Sequence, residues 1–199
     1  MIKKYYQIKQ IELGTMQNYA YLISYNNHKA ILIDPGWDYA KVIDILNNLE
    51  LKAILLTHGH FDHCTAVPDL QQKFNVPVYI SRFEPDLYRP KISLIDIDDE
   101  EELVFDNLIV KCLHTPGHTP GSQCFLIDHN LFTGDTLFLD GCGRWDLPFS
   151  SKSDIKDSIQ KLKTLSDETI IYPGHNYHEL ASDNLRHQKI VNPCFQENF

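Results

Sequence analysis

The amino-acid sequence predicts an α+β protein whose strands and helices form similar layers around a shared sheet core. Three observations predict this fold class. Short apolar runs rich in Tyr, Ile and Leu recur along the chain between turn-forming residues. Stretches with helical apolar spacing follow these strands in both halves. Clusters of His and Asp stand directly after strand runs, at positions where loops carry functional groups.

The first strands end at Gly14, at the Asn26-Asn27 pair and at the Pro35-Gly36 pair, all typical turn residues. We predict that the first three strands form an antiparallel meander. The predicted strands cover residues 5–13, 20–24, 30–34, 53–56, 76–80, 108–113, 123–127, 131–133 and 169–172. The predicted helices cover residues 41–49, 65–74 and 153–165. We interpret the acidic stretch 95–102 as a solvated turn.

Length and composition favour one globular domain. The chain has 199 residues, of which 43% are hydrophobic and 23% are charged, and this length supports one substantial core. We therefore expect a single domain over residues 1–199. The formal net charge of −9, with 18 Lys and Arg residues, argues against a basic surface that binds nucleic acid.

Cysteine usage and hydropathy predict a cytoplasmic protein. The five cysteines form no C-x-x-C pair, which argues against a disulfide framework and against a thiolate zinc site. No stretch approaches the roughly 20 apolar residues that cross a bilayer, so we expect no membrane association. Lys3 and Lys4 have no apolar run behind them, and a signal peptide is not expected.

The segment THGHFDH at residues 57–63 is the strongest chemical signal in the chain. It brings His58, His60, Asp62 and His63 into one short stretch. Each of these side chains is a good ligand for zinc or a similar ion. A polar surface turn is the alternative interpretation, but the density of ligand-type side chains favours a metal site.

Three further motifs complete a known pattern. The H-x-H-x-D-H segment is followed by TPGHTPGS at 115–122, TGDTLF at 133–138 and YPGH at 172–175. The four motifs in this order resemble the metallo-beta-lactamase superfamily, and the resemblance spans most of the chain. It implies an αββα four-layer sandwich, in which two mixed sheets are flanked by helices and the metal ligands lie at one edge of the sheets.

The resemblance also implies how the metal ions are bound. The implied ligands are His58, His60 and His118 for one ion, Asp62, His63 and His175 for the other, and Asp135 as the bridge. The implied cofactors are two divalent metal ions, with zinc first and iron or a mixed iron and zinc pair as alternatives. Asp62 and Asp135 are the implied catalytic residues, with a metal-bridging hydroxide as the nucleophile. Asp34, in ILIDPG, is implied to support a ligand, and a plain Asp-Pro-Gly turn is the alternative.

The loop DGCGRW at residues 140–145 points to a branch of the superfamily. It is similar to the loop after the bridging aspartate in glyoxalase II, a hydroxyacylglutathione hydrolase, and in persulfide dioxygenases. The substrate-binding residues that it implies are Cys142, Gly143, Arg144 and Tyr177. The planar guanidinium of Arg144 would pair with a substrate carboxylate. Asp146 stands where glyoxalase II has a tyrosine, and the stretch after His175 is short, so we expect no counterpart of the helical C-terminal domain of glyoxalase II.

Three activities follow from the resemblance. The first is binuclear hydrolysis of a thioester, either an acyl-glutathione or another acyl-thiol carrier. The second is a zinc hydrolase that acts on acyl-carrier-protein thioesters in polyketide biosynthesis. The third is a persulfide dioxygenase, which binds one iron through residues matching His58, His118 and Asp135 and oxidises glutathione persulfide. The expected partner of the hydrolase is a small-molecule thioester or an acyl-thiol carrier.

Overall fold

The structure, a computed structural model, describes residues 5–196. Two sheets of six strands lie face to face, and helices cover the outer face of each sheet. This is the αββα sandwich of two mixed sheets that the sequence analysis predicts. Lys3 and Lys4, on which the expectation about the N-terminus rests, lie outside the described residues.

The first sheet contains the predicted meander. Its strands, in both chain and spatial order, are β1 (Tyr6–Leu13), β2 (Asn18–Tyr25), β3 (Lys29–Ile33), β4 (Glu50–Leu55), β5 (Val78–Ser81) and β6 (Ile95–Ile97). Strands β1 to β3 pair antiparallel, as predicted. Strands β3 to β6 pair in parallel, so the chain must cross over between them. The helices in these crossovers are α1 (Tyr39–Leu46), α2 (Phe61–Cys64) and α3 (Val67–Phe74).

The second sheet is formed by the other half of the chain. The remaining strands are β7 (Glu102–Phe105), β8 (Leu108–His114), β9 (Gln123–Ile127), β10 (Asn130–Gly134), β11 (Leu137–Phe138), β12 (Gly141–Cys142), β13 (Ile170–Pro173) and β14 (Asp183–Asn184). Their order in the sheet is β14-β13-β10-β9-β8-β7, and β11 and β12 form a separate two-stranded ribbon. Strands β10 and β13 pair in parallel, and the other pairs of this sheet are antiparallel.

Two helices and a short 3-10 helix cover the second sheet. They are α4 (Lys152–Lys163), α5 (Leu185–Val191) and the 3-10 helix Pro193–Phe195. The hydroxyl of Ser151 accepts a hydrogen bond from the backbone N–H of Asp154, which caps the start of α4. Within residues 5–196, no helix is long and apolar enough to cross a membrane.

The apolar core has three layers, one between the sheets and one beneath each group of helices. Between the sheets, the fully buried side chains include Tyr21, Ile31 and Ile33 of the first sheet and Phe125 and Phe132 of the second. Val42 of α1 and Leu70 of α3 pack on the outer face of the first sheet, and Ile155 and Ile159 of α4 pack on that of the second. The inner layer fixes how the two sheets sit against each other.

The acidic stretch 95–102 is a solvated turn only over residues 98–101, and the prediction was wrong for the two ends of the stretch. Its first three residues are β6, which pairs with β5, and Glu102 already belongs to β7. Ile97 is buried between the sheets. The Ile-Asp-Ile alternation is therefore a strand signal, which the acidic composition of the segment obscured. The structure also places Asp62 and His63 in the short helix α2, where the sequence analysis expected an open loop.

The ends of five strands define the functional edge of the sandwich. Strands β3 and β4 run in the same direction in the first sheet, and β8, β10 and β13 run in the same direction in the second. Each of the five is followed directly or within a few residues by one of the predicted polar groups. Because the two sheets face each other, the C-terminal ends of these five strands lie at the same edge of the sandwich. Polar residues that are distant in sequence therefore lie close together there.

We expect the layer between the sheets to dominate the stability of the fold. Phe132 is fully buried in that layer, whereas Val104 on β7 is 63% exposed. Phe132→Ala should lower the free energy of unfolding by about 3–5 kcal/mol, because it removes a buried ring and leaves a cavity. Val104→Ala should change it by about 0.5 kcal/mol or less. Urea unfolding measures both values, and a similar small effect for the two variants would contradict this account of the core.

Candidate metal centre

Three histidines from two loops converge at the edge of the sandwich. His58 and His60 follow β4, and His118 lies on the loop between β8 and β9. One ring nitrogen of each lies within 4.8 Å of those of the other two. His60 Nδ1 and His118 Nε2 face each other at 3.0 Å. We call this group the three-histidine set, and it has the composition of a zinc-binding site.

A second group, from three different elements, lies beside the first. Asp62 and His63 are on α2, and His175 follows β13. His63 Nε2 is 3.3 Å from His175 Nε2, and Asp62 Oδ2 is 3.6 Å from each of these nitrogens. We call this group the carboxylate set. All three of its members are buried, as metal ligands at the base of a cleft would be.

Asp135 lies between the two sets. Its Oδ2 atom is 3.4 Å from His118 Nε2 and 3.3 Å from His175 Nε2. Its Oδ1 atom is 3.4 Å from His63 Nε2. The preceding Gly134 has a φ of +48°, and a Cβ there would lie 2.3 Å from the hydroxyl oxygen of Thr57, so only glycine fits this turn. The strand β10 thus delivers a carboxylate that contacts both sets.

The donor atoms have the chemistry of a metal site. Among residues 5–196, two buried side-chain polar atoms lack a hydrogen-bond partner, and they are His58 Nε2 and Asp135 Oδ1. The nearby His63 Nε2 is 3.4 Å from Asp135 Oδ1, a distance that is long for a hydrogen bond to a carboxylate. A buried polar atom without a partner is costly. Both orphaned atoms belong to residues of the predicted ligand set, and metal coordination would satisfy them.

The protonation states of His58, His60 and Asp135 favour cation binding. Burial, together with the neighbouring histidines, lowers the pKa of His58 well below its usual value and that of His60 to about 4. These rings are therefore neutral at pH 7, as metal ligands must be. Burial alone would raise the pKa of Asp135, but His63 and His175 outweigh it and hold that pKa well below its usual value. Asp135 is therefore a carboxylate ion.

Hydrogen bonds at the far side of the rings fix their orientation. His63 Nδ1 is 3.0 Å from Asp34 Oδ2, His118 Nδ1 is 3.0 Å from the carbonyl oxygen of Arg144, and His175 Nδ1 is 2.9 Å from that of Met16. Because Nδ1 is held in each ring, Nε2 points into the site. Asp34 also accepts hydrogen bonds from the backbone N–H and the hydroxyl of Thr57, at 2.8 and 2.6 Å. Asp34 thus has the supporting position that the sequence analysis expects.

A cleft with a volume of about 420 Å³ opens above the two sets. Two of the four residues that the sequence analysis assigns to substrate binding, Arg144 and Tyr177, line this cleft. Cys142 and Gly143 do not line it. Cys142 packs against the apolar layer under α4, with its thiol in contact with that of Cys194, and Gly143 packs tightly against the backbone carbonyl of Asp135.

Asn18, at the start of β2, also contacts the site, and no sequence motif predicts it. Its side-chain amide donates a hydrogen bond of 2.9 Å to Asp62 Oδ2 and lies 3.3 Å from His63 Nε2. Trp37 donates to the other end of the same amide. A single asparagine far along the chain from every motif carries no local signal, so only the fold reveals this contact.

Comparisons with known proteins agree with this geometry. Residues 13–175 match the Metallo-beta-lactamase superfamily. Over 184 residues, the chain is 39% identical to the probable polyketide biosynthesis zinc-dependent hydrolase PksB of Bacillus subtilis (strain 168), and the match covers 90% of this chain and 82% of that relative. Over 179 residues, it is 37% identical to the hydroxyacylglutathione hydrolase of Aeromonas salmonicida (strain A449), covering 88% of this chain and 66% of the relative. The crystal structure of ETHE1 from Myxococcus xanthus superposes with a TM-score of 0.85 at 30% identity, covering 94% and 83% of the two chains.

We expect Asp34 to support zinc binding by the carboxylate set. Three donors converge on its two oxygens, whereas an asparagine offers one oxygen, so Asp34→Asn leaves the ring of His63 less firmly held. Zinc affinity should fall roughly 10- to 100-fold, as measured by titration against a competing chelator. Asp44→Asn, at an exposed position on α1, is the matched control. Equal zinc affinities for the two variants would contradict the supporting role of Asp34.

Proposed function

Because the chain belongs to the metallo-beta-lactamase superfamily, we propose that it is a binuclear metal-dependent hydrolase that cleaves the thioester bond between an acyl group and a carrier thiol. One observation carries the binuclear part of this proposal. The three-histidine set and the carboxylate set converge side by side, and Asp135 contacts both. This arrangement suits a pair of cations with a shared carboxylate ligand.

Two divalent cations bound in such a site would supply a Lewis acid for the carbonyl oxygen and would lower the pKa of water. The protein provides the negative charge that offsets them. Asp62 and Asp135, which we propose as the catalytic carboxylates, are the acidic residues that line the cleft. Asn18 holds Asp62 in place through the hydrogen bond to its Oδ2 atom.

Apolar side chains form most of the cleft wall, which favours an acyl group over a highly charged substrate. The apolar and aromatic lining residues are Met16, Phe61, Tyr88, Phe138, Leu147, Pro148 and Tyr177. The ring of Tyr177 stacks on that of His175 with 4.7 Å between centroids, so one wall reaches directly to the ligands. Such walls bury an acyl chain and exclude bulk water from the reacting bond.

The names of two relatives are the reason for proposing a thiol-linked substrate, and we consider two kinds of thiol carrier. One is named a hydroxyacylglutathione hydrolase, and another is named a probable polyketide biosynthesis zinc-dependent hydrolase. Arg144 is the only cationic side chain other than histidine among the residues that line the cleft, and it already forms two hydrogen bonds, of 2.9 and 3.0 Å, with the carboxylate of Asp146. A carrier with fewer carboxylates than glutathione, such as the pantetheine arm of an acyl-carrier protein, fits this surface better.

Persulfide oxidation at a single iron is the competing proposal. It would use His58, His118 and Asp135, of which His118 and Asp135 are in contact. It gives no role to the carboxylate set, whose members are buried and mutually in contact. A second cation would give these buried residues a role, which is our reason for proposing two cations.

We expect the protein to release free thiol from acyl thioesters. The measurement is steady-state thiol release from a panel that contains S-lactoylglutathione and acyl-pantetheine thioesters, with the metal content of each sample checked. His58→Ala and Asp135→Ala should abolish release because each removes a metal ligand, whereas Asp44→Ala should match the wild type. The proposal would be contradicted if the protein hydrolysed neither the glutathione thioester nor the pantetheine thioesters and instead consumed oxygen in the presence of glutathione persulfide.

We expect the pairing of Arg144 with Asp146 to control recognition of anionic substrates. Asp146→Asn removes the competing carboxylate, and it should lower the KM for S-lactoylglutathione roughly two- to fivefold without changing kcat, because the gain is in binding alone. Arg144→Ala should raise that KM. Neither variant should alter the KM for an uncharged acyl-pantetheine thioester. An unchanged KM for S-lactoylglutathione in both variants would show that Arg144 does not contact the substrate.

A further inference from the structure

A buried carboxylate lies behind the three-histidine set. Glu84 follows β5 and is only 3% exposed. Its Oε1 atom accepts a hydrogen bond of 3.0 Å from the backbone N–H of Gly59, and its Oε2 atom accepts one of 2.7 Å from the hydroxyl of Thr119. The backbone N–H of Gly121 also donates to this carboxylate. No described residue forms a salt bridge with Glu84.

These three donors belong to the two loops that carry the set. Gly59 stands between His58 and His60, and Thr119 follows His118 directly. The first loop comes from the first sheet and the second loop from the second sheet. Glu84 therefore connects the two histidine loops. The three ring nitrogens can converge only if the distance between these loops is fixed.

The hydrogen bonds to Glu84 favour its ionised form, whereas its burial opposes it. The groups that contact its oxygens are all donors, two of them backbone N–H groups that have no alternative acceptor role. Burial raises the pKa of Glu84, and the hydrogen bonds from Thr119, Gly59 and Gly121 offset part of that rise. A neutral glutamine at this position would present an N–H group to at least one of these donors.

The space around Glu84 is filled on both sides. A Cβ on Gly121 would lie 2.3 Å from Glu84 Oε2. The backbone of Tyr88, four residues after Glu84, lies against Gly59, and the ring of Tyr88 packs edge-on against that of His60 with 4.7 Å between centroids. The two loops and the segment after β5 thus form one tightly packed unit, in which a small shift of the carboxylate would move the ligands.

We propose that Glu84 is a positioning residue that fixes the separation of the two histidine loops and thereby sets the metal affinity of the three-histidine set. The inference rests on the proposed binuclear function, because it concerns one of the two metal positions. It also predicts selectivity. Glu84 forms no hydrogen bond with a residue of the carboxylate set. The metal affinity of that set should therefore be unchanged when Glu84 is substituted.

The test is a cobalt titration of the metal-free protein, followed by optical absorption and by elemental analysis after dialysis. His60→Ala and Asp62→Ala assign the absorption bands, because each removes a ligand from one set. We expect Glu84→Gln to bind cobalt about 10- to 100-fold more weakly at the three-histidine set, with unchanged affinity at the carboxylate set. Thr119→Val, which removes one donor and keeps the shape of the side chain, should weaken the same set by a smaller factor.

Tyr6→Phe is the control for a general loss of stability. It removes a buried hydroxyl that donates to the carbonyl oxygen of Ile127, at the end of the sheets away from the metal centre. It should lower the melting temperature of the metal-free protein without changing either cobalt affinity. Wild-type affinities in Glu84→Gln, or an equal loss at both sets, would overturn the inference. If Glu84→Gln does not fold, Thr119→Val provides the same test.

Failure of the proposed function is distinguishable from failure of this inference. A wild-type protein that binds a single cobalt ion contradicts the binuclear proposal, whatever the variants do. The role of Glu84 then holds if the absorption bands place that ion in the three-histidine set and Glu84→Gln weakens its binding. A single ion in the carboxylate set overturns both.

Discussion

Every ligand position depends on how the two sheets pack face to face. His58, His60, Asp62 and His63 follow a strand of the first sheet, whereas His118, Asp135 and His175 follow strands of the second. Neither sheet alone contains a complete ligand set. The buried layer around Tyr21, Phe125 and Phe132 fixes the position of one sheet on the other, and the same contact therefore determines both the stability of the fold and the geometry of the metal centre.

The second constraint is that buried negative charge must be stabilised. The buried carboxylates of this protein are stabilised in two different ways. Asp62 and Asp135 face the cleft, where cations would offset their charge. Asp34 and Glu84 lie behind the ligands and are satisfied by hydrogen-bond donors instead. This division explains why four buried acidic residues gather at one edge of the sandwich. Two are placed to bind metal, and two hold the loops that carry the histidines.

Each predicted ligand residue lies in a short motif after an apolar strand, and the structure brings all seven of these residues together at one edge of the sandwich. The sequence motifs also predict, through their resemblance to a known superfamily, the αββα four-layer sandwich, which the structure and the comparisons confirm. Local patterns fail where a long-range contact decides the outcome. Asn18 and Glu84 are single residues of common type, and Cys142 turns toward Cys194 because the distant C-terminal 3-10 helix packs there. The ion pair between Arg144 and Asp146 is different, because the two residues are only two positions apart. Their opposite charges in the segment GRWD could have predicted it.

The number of metal ions per chain tests the central claim most directly. Protein purified without added metal should contain about two divalent ions per chain, chiefly zinc or a mixture of zinc and iron, as measured by elemental analysis. This result would agree with two ligand sets that share Asp135. A single iron per chain with negligible zinc would contradict the binuclear account, because the buried carboxylate set would then have no cation to bind.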